Sequence, residues 1–212
     1  MSRCLILTSR IDGIEHLTID PSDFSCILAA DGGLDRAREL GLSPTHLIGD
    51  YDSTGRPDAA TVEQAENTIF LPTVKDMTDS EAALDWAVGM GYTDILVLGG
   101  LGGRFDHTMG NVGLLSKHLS VTRKIVLQDG ANRVRMFPPG TYPVRKDGYR
   151  YLGLLAYGGT VHGLSVSGTK YPLRKYDLSD STTLGVSNEI LDKEATVSFA
   201  EGRLLVIQSN DT

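Results

Sequence analysis

The sequence predicts an α/β fold, in which an N-terminal doubly wound, mostly parallel sheet is followed by a C-terminal antiparallel β-sandwich. Up to about residue 130, short apolar runs alternate with patterns of helical spacing, which is typical of a sheet covered by helices. At residues 137–140, Phe-Pro-Pro-Gly, the helical periodicity ends and short β-rich stretches begin. We therefore predict two domains, residues 1–137 and residues 138–212.

The strands of the first domain are predicted from short, continuous apolar runs that are bounded by glycine or polar residues. Such runs suit strands that are buried on both faces, as in a parallel sheet. They lie at residues 4–7, 26–30, 69–71, 95–98 and 125–127. Because ligands of these sheets bind outside the carboxyl ends of the strands, we expect functional residues directly after the runs.

Three helices are predicted from apolar residues at helical spacing. The first carries Leu34, Ala37 and Leu40, and Gly41 is its expected C-terminal stop. The other two are defined by the following residues: Ala82, Ala83, Trp86, Ala87 and Met90, ended by Gly91, and Met109, Val112, Leu115 and Leu119.

The second domain is predicted from β-rich stretches at residues 149–154, 160–166, 195–199 and 204–207. The segment Glu201-Gly202-Arg203 between the last two stretches indicates a tight hairpin link. A small antiparallel β-sandwich accounts for this pattern.

Composition limits the classes of partner and the compartment. The formal net charge of −7 argues against nucleic acid as the main partner, because a phosphate backbone is bound through clustered Lys and Arg. No segment is suited to be a signal peptide or a membrane span. Cys4 and Cys26 are the only cysteines, and we interpret them as buried free thiols rather than a disulfide. A cytoplasmic protein is expected.

Two pairs of aspartates are the candidates for metal chemistry. Asp50 and Asp52 follow residues 47–48, which we expect to end a buried strand whose period of two aims both carboxylates the same way. Asp76 and Asp79 stand three apart at a helix entrance and would share one face. Four converging carboxylates repel one another unless a hard cation lies among them, and Mg²⁺, which often accompanies phosphates, is the usual choice.

Each of these motifs also has a purely structural interpretation. Asp50 and Asp52 can form a turn closed by local backbone hydrogen bonds. Thr78 or Asp79 can be the N-cap of the following helix. Asp-Gly-Gly at residues 31–33 can likewise cap a helix, or can let the backbone approach an anion at the helix N-terminus.

A glycine-rich loop at residues 99–103 has four glycines in five positions. Its amides can face phosphate oxygens in the concave arrangement that binds anions. Arg104 can fork onto a phosphate and Asp106 can orient it or cap the next helix, whereas His107 can bind the same ligand or only pack. The loop has neither the Lys-Ser/Thr ending of a P-loop nor the spacing of the dinucleotide fingerprint.

In order and spacing, these motifs resemble those of the thiamine pyrophosphokinase (thiamine diphosphokinase) family. The matching stretches are residues 31–33, 49–53, 75–79, 99–107 with Asn111, 171–173 and 187–189. The resemblance implies that ATP and thiamine give thiamine diphosphate and AMP, with Mg²⁺ organising the phosphates. It also implies a homodimer with the active site at its interface, an α/β nucleotide domain and a β-sandwich that binds thiamine.

The resemblance implies roles for individual residues as well. Catalytic and metal-organising roles are implied for Asp50, Asp52, Asp76 and Asp79, with Arg104 as a further catalytic residue. Nucleotide contacts are implied for Asp31, Gly32, Lys75, Thr78, Gly102, Gly103, Arg104, Asp106 and His107. Thiamine contacts are implied for Tyr171, Ser187 and Asn188, which taken alone indicate only strand ends and turns. Tyr51 stands where phenylalanine is frequent in the family, and Tyr171 where some members have tryptophan.

Two other functions fit part of the pattern. A Mg²⁺-dependent diphosphotransferase that acts on another heterocyclic alcohol, such as a pterin, would share the α/β motifs, but the motifs of the β domain favour thiamine. A non-catalytic nucleotide sensor would need the phosphate loop but not four metal-directed acids.

Overall fold

The computed structural model describes residues 2–52, 55–74 and 76–211. The chain divides into two compact units. The first unit runs to His118 and resumes at Thr122–Gly130, and the second contains Leu119–Val121 and the chain from Ala131 onward.

In the part of the first unit that the structure describes, the sheet has six parallel strands. Their bounds are β1 Arg3–Leu7, β2 Cys26–Ala30, β3 His46–Gly49, β4 Asn67–Phe70, β5 Asp94–Leu98 and β6 Lys124–Gln128. They lie in the order β4-β3-β2-β1-β5-β6, and each neighbouring pair is parallel. Strands β2, β3 and β4 are therefore added in turn on one side of β1, and β5 and β6 are then added on the other side. All five predicted apolar runs lie in or overlap these strands.

Within the described residues, four helices accompany the sheet: α1 Gly33–Glu39, α2 Ala59–Gln64, α3 Asp79–Gly89 and α4 Phe105–Lys117. Two short 3₁₀ turns span Ile14–His16 and Pro21–Asp23. The three predicted helices are confirmed, and Gly41 and Gly91 have the positive φ angles of C-terminal stops. Helix α2 was not predicted, because none of its residues is buried and it has no apolar stripe.

The buried apolar stripes of α3 and α4 are shorter than the stripes predicted from the helical spacing of apolar residues. Ala83 and Ala87 are buried, as are Val112 and Leu115, whereas Met90 and Met109 are 61% and 47% exposed. Helix α3 packs against β1, β2 and β3 and also against α4. One apolar cluster of this unit is formed by the following residues: Leu5, Leu7, Ile11, Ile27, Ala37, Leu42, Leu96, Leu98 and Val126.

The second unit is a β-sandwich. Its strands are β7 Asn132–Phe137, β8 Gly140–Arg145, β9 Tyr151–Ala156, β10 Val161–Ser167, β11 Leu173–Leu178, β12 Glu194–Phe199 and β13 Leu204–Ser209. One sheet has the order β7-β13-β9 and the other β11-β10-β12-β8, and every pair is antiparallel. Both contribute to one apolar core, which includes Leu152, Leu154, Leu164, Val197 and Leu204. The predicted fold class is confirmed.

Two details of the second unit differ from the sequence interpretation. The hairpin expected at residues 201–203 is wrong, because β12 pairs with β10 and β8 whereas β13 pairs with β7 and β9. The chain crosses there from one sheet to the other. The compact units also divide after Gly130 rather than at residue 137, since β7 pairs along its whole length with β13.

Within the described residues, no helix is long and apolar enough to cross a bilayer. Cys4 and Cys26 are buried and free, as predicted.

Candidate active site

The carboxyl edge of the parallel sheet gathers most of the predicted site residues. The strand order reverses between β1 and β5, and in open α/β sheets such a reversal opens a crevice for ligands. Around it lie the loops that follow β1, β2, β3 and β5, together with the first turn of α3. The sheet topology thus brings together segments that are far apart in sequence.

A cavity of about 300 Å³ lies at this reversal, and we call it the glycine-loop cavity. Its lining consists of residues 8–10, Ser80, residues 100–104, His107 and Asn111. Gly102, Gly103, Arg104 and His107, which the sequence analysis assigned to the nucleotide, therefore lie in one cavity. Asp106 does not line it.

The glycine loop is held in shape by the helix that follows it. Asn111 donates a hydrogen bond from Nδ2 to the carbonyl of Gly100 at 2.9 Å, and Thr108 donates from Oγ1 to the carbonyl of Gly102 at 3.2 Å. Gly102 has φ +80°, and a Cβ there would lie 2.1 Å from Oδ2 of Asp12. Two loop carbonyls are thus turned towards α4. The amides of residues 100–104 make no backbone hydrogen bond within the described chain, so they are free to bind an anion.

Arg104 and Asp106 form a fork next to this loop. Arg104 donates from Nε and Nη2 to the two carboxylate oxygens of Asp106, at 3.2 and 2.6 Å. This contact raises the pKa of Arg104 and lowers the pKa of Asp106. The amide of His107 also donates to Asp106, at 2.9 Å. Asp106 therefore orients Arg104, as one interpretation expected. The other interpretation, that Asp106 caps α4, is wrong, because Arg104 is the N-cap residue, Asp106 lies inside the helix, and no described side chain caps it.

The sequence analysis missed the other wall of the cavity. Thr8, Ser9 and Arg10 follow β1, and Ser80 lies in the first turn of α3. The available signal was the position of Thr-Ser-Arg directly after the first apolar run, at the carboxyl end of a parallel strand.

A second cavity, of about 200 Å³, lies beyond β2 and β3 and is lined by Asp31, Gly32, Tyr51 and Arg56, among others. We call it the Asp31 cavity. Asp31 is buried at the end of β2, and its amide donates to the carbonyl of Ile48 at 2.8 Å. The two residues predicted at 31 and 32 thus line a different cavity from that of the glycine loop.

Tyr51 is the buried residue of the predicted aspartate motif. It is 4% exposed, and its hydroxyl has no hydrogen-bond partner among the described residues. Burial raises the pKa of Tyr51 to about 12, and the negative charges of Asp31 and Asp79 contribute further to the rise. The carboxylates of Asp31 and Asp79 are therefore both near enough to Tyr51 for their negative charges to raise the pKa of its hydroxyl.

Asp50 and Asp52 lie in a turn rather than on an extended strand. Strand β3 ends at Gly49, and Tyr51 has φ +58°, so the alternation of a strand does not continue through the two aspartates. Oδ1 of Asp50 accepts a hydrogen bond from the amide of Asp52 at 3.2 Å. This is the local turn that the sequence analysis considered as the structural alternative.

The second aspartate pair lies at the start of α3. Thr78 is the N-cap, and its hydroxyl accepts from the amide of Glu81 at 3.2 Å. Asp79 is the first helical residue, next to Ser80 of the glycine-loop cavity. Asp76 is exposed, and Lys75 lies outside the described residues.

These carboxylates do not form a preorganised metal cage. In the part of the chain that the structure describes, no group of three or more His, Cys, Asp or Glu side chains is arranged to hold a metal ion. Mg²⁺ is commonly bound through only one or two carboxylates together with substrate phosphates and water. The oxygen donors of Asp31, Asp50 and Asp79 at this edge fit such a binding mode.

The predicted thiamine residues lie together in the second unit. The amide of Tyr171 donates to Oδ1 of Asn188 at 3.0 Å, and Nδ2 of Asn188 donates to the carbonyl of Tyr171 at 2.8 Å. Oδ1 of Asn188 also accepts from the amide of Glu189 at 2.9 Å. Asn188 is buried, and its amide is occupied by these backbone contacts, so it positions Tyr171.

The ring of Tyr171 is available for a ligand. It is 58% exposed, and Nζ of Lys170 lies 5.6 Å from its centroid while pairing with Glu189 at 2.6 Å. Ser187 is exposed and has φ +60°. Around these residues, Leu184, Val186 and Leu191 are also exposed.

Comparisons with known proteins agree with this architecture. Residues 21–127 match the family described as thiamin pyrophosphokinase, catalytic domain, and residues 141–204 match the thiamin pyrophosphokinase vitamin B1 binding domain. A curated thiamine pyrophosphokinase of Bacillus subtilis is 35% identical over 200 residues, which cover 93% of this chain and 94% of that protein.

Solved structures give the same result. The crystal structure of a thiamin pyrophosphokinase family protein from Enterococcus faecalis has a TM-score of 0.88 and 30% identity, with complete coverage of both chains. Thiamin pyrophosphokinase from Geobacillus thermodenitrificans has a TM-score of 0.82 and 35% identity, covering 99% of this chain and 98% of that one. The resemblance seen in the sequence motifs is confirmed, and the chain belongs to the thiamin pyrophosphokinase family.

Proposed function

We propose that this protein transfers the diphosphate of ATP to the hydroxyl group of thiamine, giving thiamine diphosphate and AMP. The observation that carries the proposal is the glycine-loop cavity, in which the glycine loop and Arg104 line one cavity at the carboxyl edge of the sheet. Amides and an arginine fork are suited to phosphate oxygens. The matches of both parts of the chain to thiamin pyrophosphokinase domains support the choice of substrates.

In this proposal the nucleotide is held mainly by the first unit. Gly102, Gly103 and Arg104 would contact the phosphates, Asp106 would keep the Arg104 fork in place, and His107 would line the same cavity. Asp31 and Gly32 would form the neighbouring wall of the site. Thr78 would contribute by fixing the start of α3, since its hydroxyl already caps that helix. Lys75 would neutralise the transferred group.

We further propose that the acids Asp50, Asp52, Asp76 and Asp79 bind Mg²⁺ through one or two of their carboxylates, with substrate phosphates and water as the other ligands. When bound, the ion would supply Lewis-acid stabilisation of the charge that develops on the oxygen bridging the α- and β-phosphates. A carboxylate would orient the attacking hydroxyl by accepting its hydrogen bond, whereas the acids would act on the phosphates only through the bound ion. The charges of Asp79 and Asp31 both raise the pKa of the buried hydroxyl of Tyr51. This shared effect supports a compact acidic pocket around Tyr51.

The reaction would be an in-line displacement at the β-phosphorus. The hydroxyl oxygen of thiamine forms a bond to phosphorus, the bond to the α/β-bridging oxygen breaks, and AMP leaves with that oxygen. The hydroxyl proton passes to a carboxylate, for which Asp52 and Asp79 are the candidates, or to solvent. Positioning and neutralisation of charge provide most of the rate enhancement in such transfers.

Thiamine would be recognised by the second unit. The exposed ring of Tyr171 would stack on a ring of thiamine, which is cationic, with a contribution from cation–π attraction. Ser187 would supply a hydroxyl, and Asn188 would hold Tyr171 through its backbone contacts.

We also propose that the protein is a cytoplasmic homodimer whose subunits share the active site. The exposed apolar side chains Tyr171, Leu184, Val186 and Leu191 support a protein–protein contact. The two buried free thiols fit a reducing compartment. Light scattering of the purified protein tests the assembly, and a mass of one chain at all concentrations would contradict it.

The reaction is tested by incubating the protein with ATP, Mg²⁺ and thiamine and identifying both products. We expect AMP and thiamine diphosphate in equal amounts; ADP with thiamine monophosphate would indicate an ordinary kinase, and no turnover would favour a nucleotide sensor. A parallel reaction with a hydroxymethyl pterin tests the alternative acceptor, which the vitamin B1 binding match at residues 141–204 does not favour.

A further inference from the structure

We propose that Arg10 is a second arginine of the nucleotide site, and that it binds the phosphate chain of ATP opposite Arg104. The proposal rests on the proposed function, because it deepens the description of the same cavity. It assigns a substrate-binding role to a segment that the sequence motifs do not include.

The position of Arg10 follows from the topology of the sheet. Arg10 lies in the loop after β1 and Arg104 in the loop after β5, and these adjacent parallel strands flank the point where the strand order reverses. The two loops are tied together by Thr8, whose hydroxyl donates to the carbonyl of Leu98 at 3.1 Å. Both arginines line the glycine-loop cavity, and ligands of open α/β sheets bind at such a reversal.

Arg10 has the same local construction as Arg104. In both cases an aspartate two residues further along accepts two hydrogen bonds from the guanidinium. The bonds from Arg10 to Asp12 are 2.7 and 3.3 Å, and those from Arg104 to Asp106 are 3.2 and 2.6 Å. Such a pair fixes the plane of the guanidinium and leaves its remaining N–H groups for another acceptor. A fixed fork binds a phosphate with less loss of side-chain entropy.

The Arg10–Asp12 pair lies directly on the glycine loop. A Cβ on Gly103 would be 3.0 Å from Cδ of Arg10, and a Cβ on Gly102 would be 2.1 Å from a carboxylate oxygen of Asp12. The stem of Arg10 therefore lies against Gly103 of the glycine loop. The buried side chain of Ile11, between the two charged residues, anchors this segment in the core.

The chemistry of the wall favours the phosphate chain over the base or the ribose. Two guanidinium groups and a row of amides converge on one cavity of about 300 Å³, and all of these groups are hydrogen-bond donors suited to anionic oxygens. In a diphosphate that is being transferred, the negative charge is carried by oxygen atoms on both sides of the phosphate chain. An arginine on each wall would neutralise that charge from two directions.

The test compares the wild type with Arg10→Ala, Arg10→Lys and the control Arg145→Ala. Arg145 is also an exposed arginine that pairs with a carboxylate, Glu194, at 3.8 Å, but it lies on β8 of the second unit. We expect Arg10→Ala to raise the KM for ATP about tenfold or more, as for loss of a charged hydrogen bond. The KM for thiamine should stay within about twofold, and Arg10→Lys should recover only part of the loss because a lysine lacks the fork.

Binding of tripolyphosphate and of adenosine, followed by calorimetry, tests the site without turnover. Arg10→Ala should weaken tripolyphosphate binding and leave adenosine binding unchanged. Equal weakening of both ligands, or an unchanged KM for ATP with unchanged tripolyphosphate affinity, would overturn the role of Arg10. Arg10→Lys keeps the test decisive if Arg10→Ala does not fold. Failure of the wild type to form AMP would instead refute the proposed function, and the tripolyphosphate measurement would still decide the role of Arg10.

Discussion

The hydroxyl of Tyr51 connects the stability of the protein with its candidate site. It is buried without a partner among the described residues, and an unsatisfied buried polar group costs about 1–3 kcal/mol. Tyr51 also has a left-handed backbone conformation, φ +58°, which for a bulky side chain is strained. Local strain of this kind concentrates at ligand sites, and the charges of Asp31 and Asp79 both act on the hydroxyl at this position.

Tyr51→Phe should stabilise the protein that is free of ligand by about 1 kcal/mol, because it removes the unsatisfied hydroxyl. It should also change the pH dependence. Since the pKa of Tyr51 is about 12 in the folded state and about 10 when unfolded, its contribution to stability is fully present below pH 10 and is lost as pH rises towards 12. Urea unfolding between pH 8 and 12 measures both effects.

The control for this variant is Tyr176→Phe, since Tyr176 is partly exposed on β11. It should leave the free energy of unfolding unchanged within about 0.5 kcal/mol. A Tyr51→Phe protein that is less stable than the wild type at pH 8 would show that the hydroxyl has a partner.

The acidic side chains carry the second residue-scale prediction. Asp52→Asn and Asp79→Asn should each lower kcat by about a hundredfold or more, because each removes a charge or a proton acceptor at the reacting groups. If a variant loses a metal ligand, a higher Mg²⁺ concentration restores part of the activity, whereas loss of a base is not rescued. Turnover measured across a Mg²⁺ titration separates the two roles.

Asp23→Asn is the matched control, since Asp23 is exposed and paired with Arg3 at 3.6 Å on the first unit. It should behave like the wild type at every Mg²⁺ concentration. Near-wild-type activity of both site variants would remove the acids from the mechanism.

Tyr171 allows a test of the thiamine side. Tyr171→Ala should raise the KM for thiamine about tenfold, which corresponds to the loss of roughly 1.4 kcal/mol of stacking and cation–π attraction. Tyr171→Phe retains the ring and should remain within about threefold of the wild type. Steady-state kinetics with each substrate varied separately checks the result, and a rise in the KM for ATP instead would place Tyr171 elsewhere in the site.

At the scale of elements, the close approach of α1 to β1 depends on Gly33. A Cβ on this first helical residue would lie 2.0 Å from the carbonyl oxygen of Leu7, so no larger residue fits without moving the helix. This contact places α1, and with it Asp31 and Gly32, at the carboxyl edge of the sheet. Packing of one backbone on another, and not helix propensity, therefore selects glycine here.

Gly33→Ala should destabilise the protein by about 1–3 kcal/mol or more through overpacking. Gly110→Ala is the matched control, because Gly110 lies inside α4 and a Cβ added there would have no atom within 4 Å. At that position the alanine should stabilise by about 0.5–1 kcal/mol, since glycine is the poorer helix former. Thermal unfolding of both variants gives the comparison, and equal effects of the two would contradict the role of Gly33.

At the scale of the whole molecule, the two cysteines report on the integrity of the sheet. Cys4 and Cys26 face each other across β1 and β2, and both are buried. The interaction between the neighbouring thiols lowers the pKa of Cys26 and raises the pKa of Cys4. Although a lowered pKa favours the reactive thiolate, a reagent cannot reach either sulfur until the sheet opens.

A thiol reagent should therefore label the native protein slowly, at a rate set by opening of the sheet, and should titrate two thiols after unfolding. The rate should fall when ATP and Mg²⁺ are bound, because ligands stabilise the closed state. Rapid labelling of the native protein would contradict the burial of the pair. If no disulfide forms, the number of thiols titrated after unfolding is the same with and without prior reduction.

Local sequence patterns were sufficient to predict the fold class, most of the elements and the motifs of the site. Apolar runs predicted the parallel strands, and the spacing of residues such as Ala83 and Ala87 predicted the helices. The glycine-rich motif predicted a ligand loop, and this loop lines a cavity in the structure. Helix α2 was not predicted from the sequence, because it has no buried apolar stripe. The crossing at residues 201–203 was not predicted either, because it depends on which sheet β12 and β13 each join.

Which of these residues meet became clear only from the folded chain. Thr8 and Leu98 are joined across ninety residues, so the loop after β1 became a wall of the glycine-loop cavity and revealed Arg10. Tyr51, rather than the aspartates beside it, proved to be the buried member of its motif, because β3 ends at Gly49, before the alternation can reach them. Such outcomes depend on long-range packing and strand order, and no local periodicity encodes them.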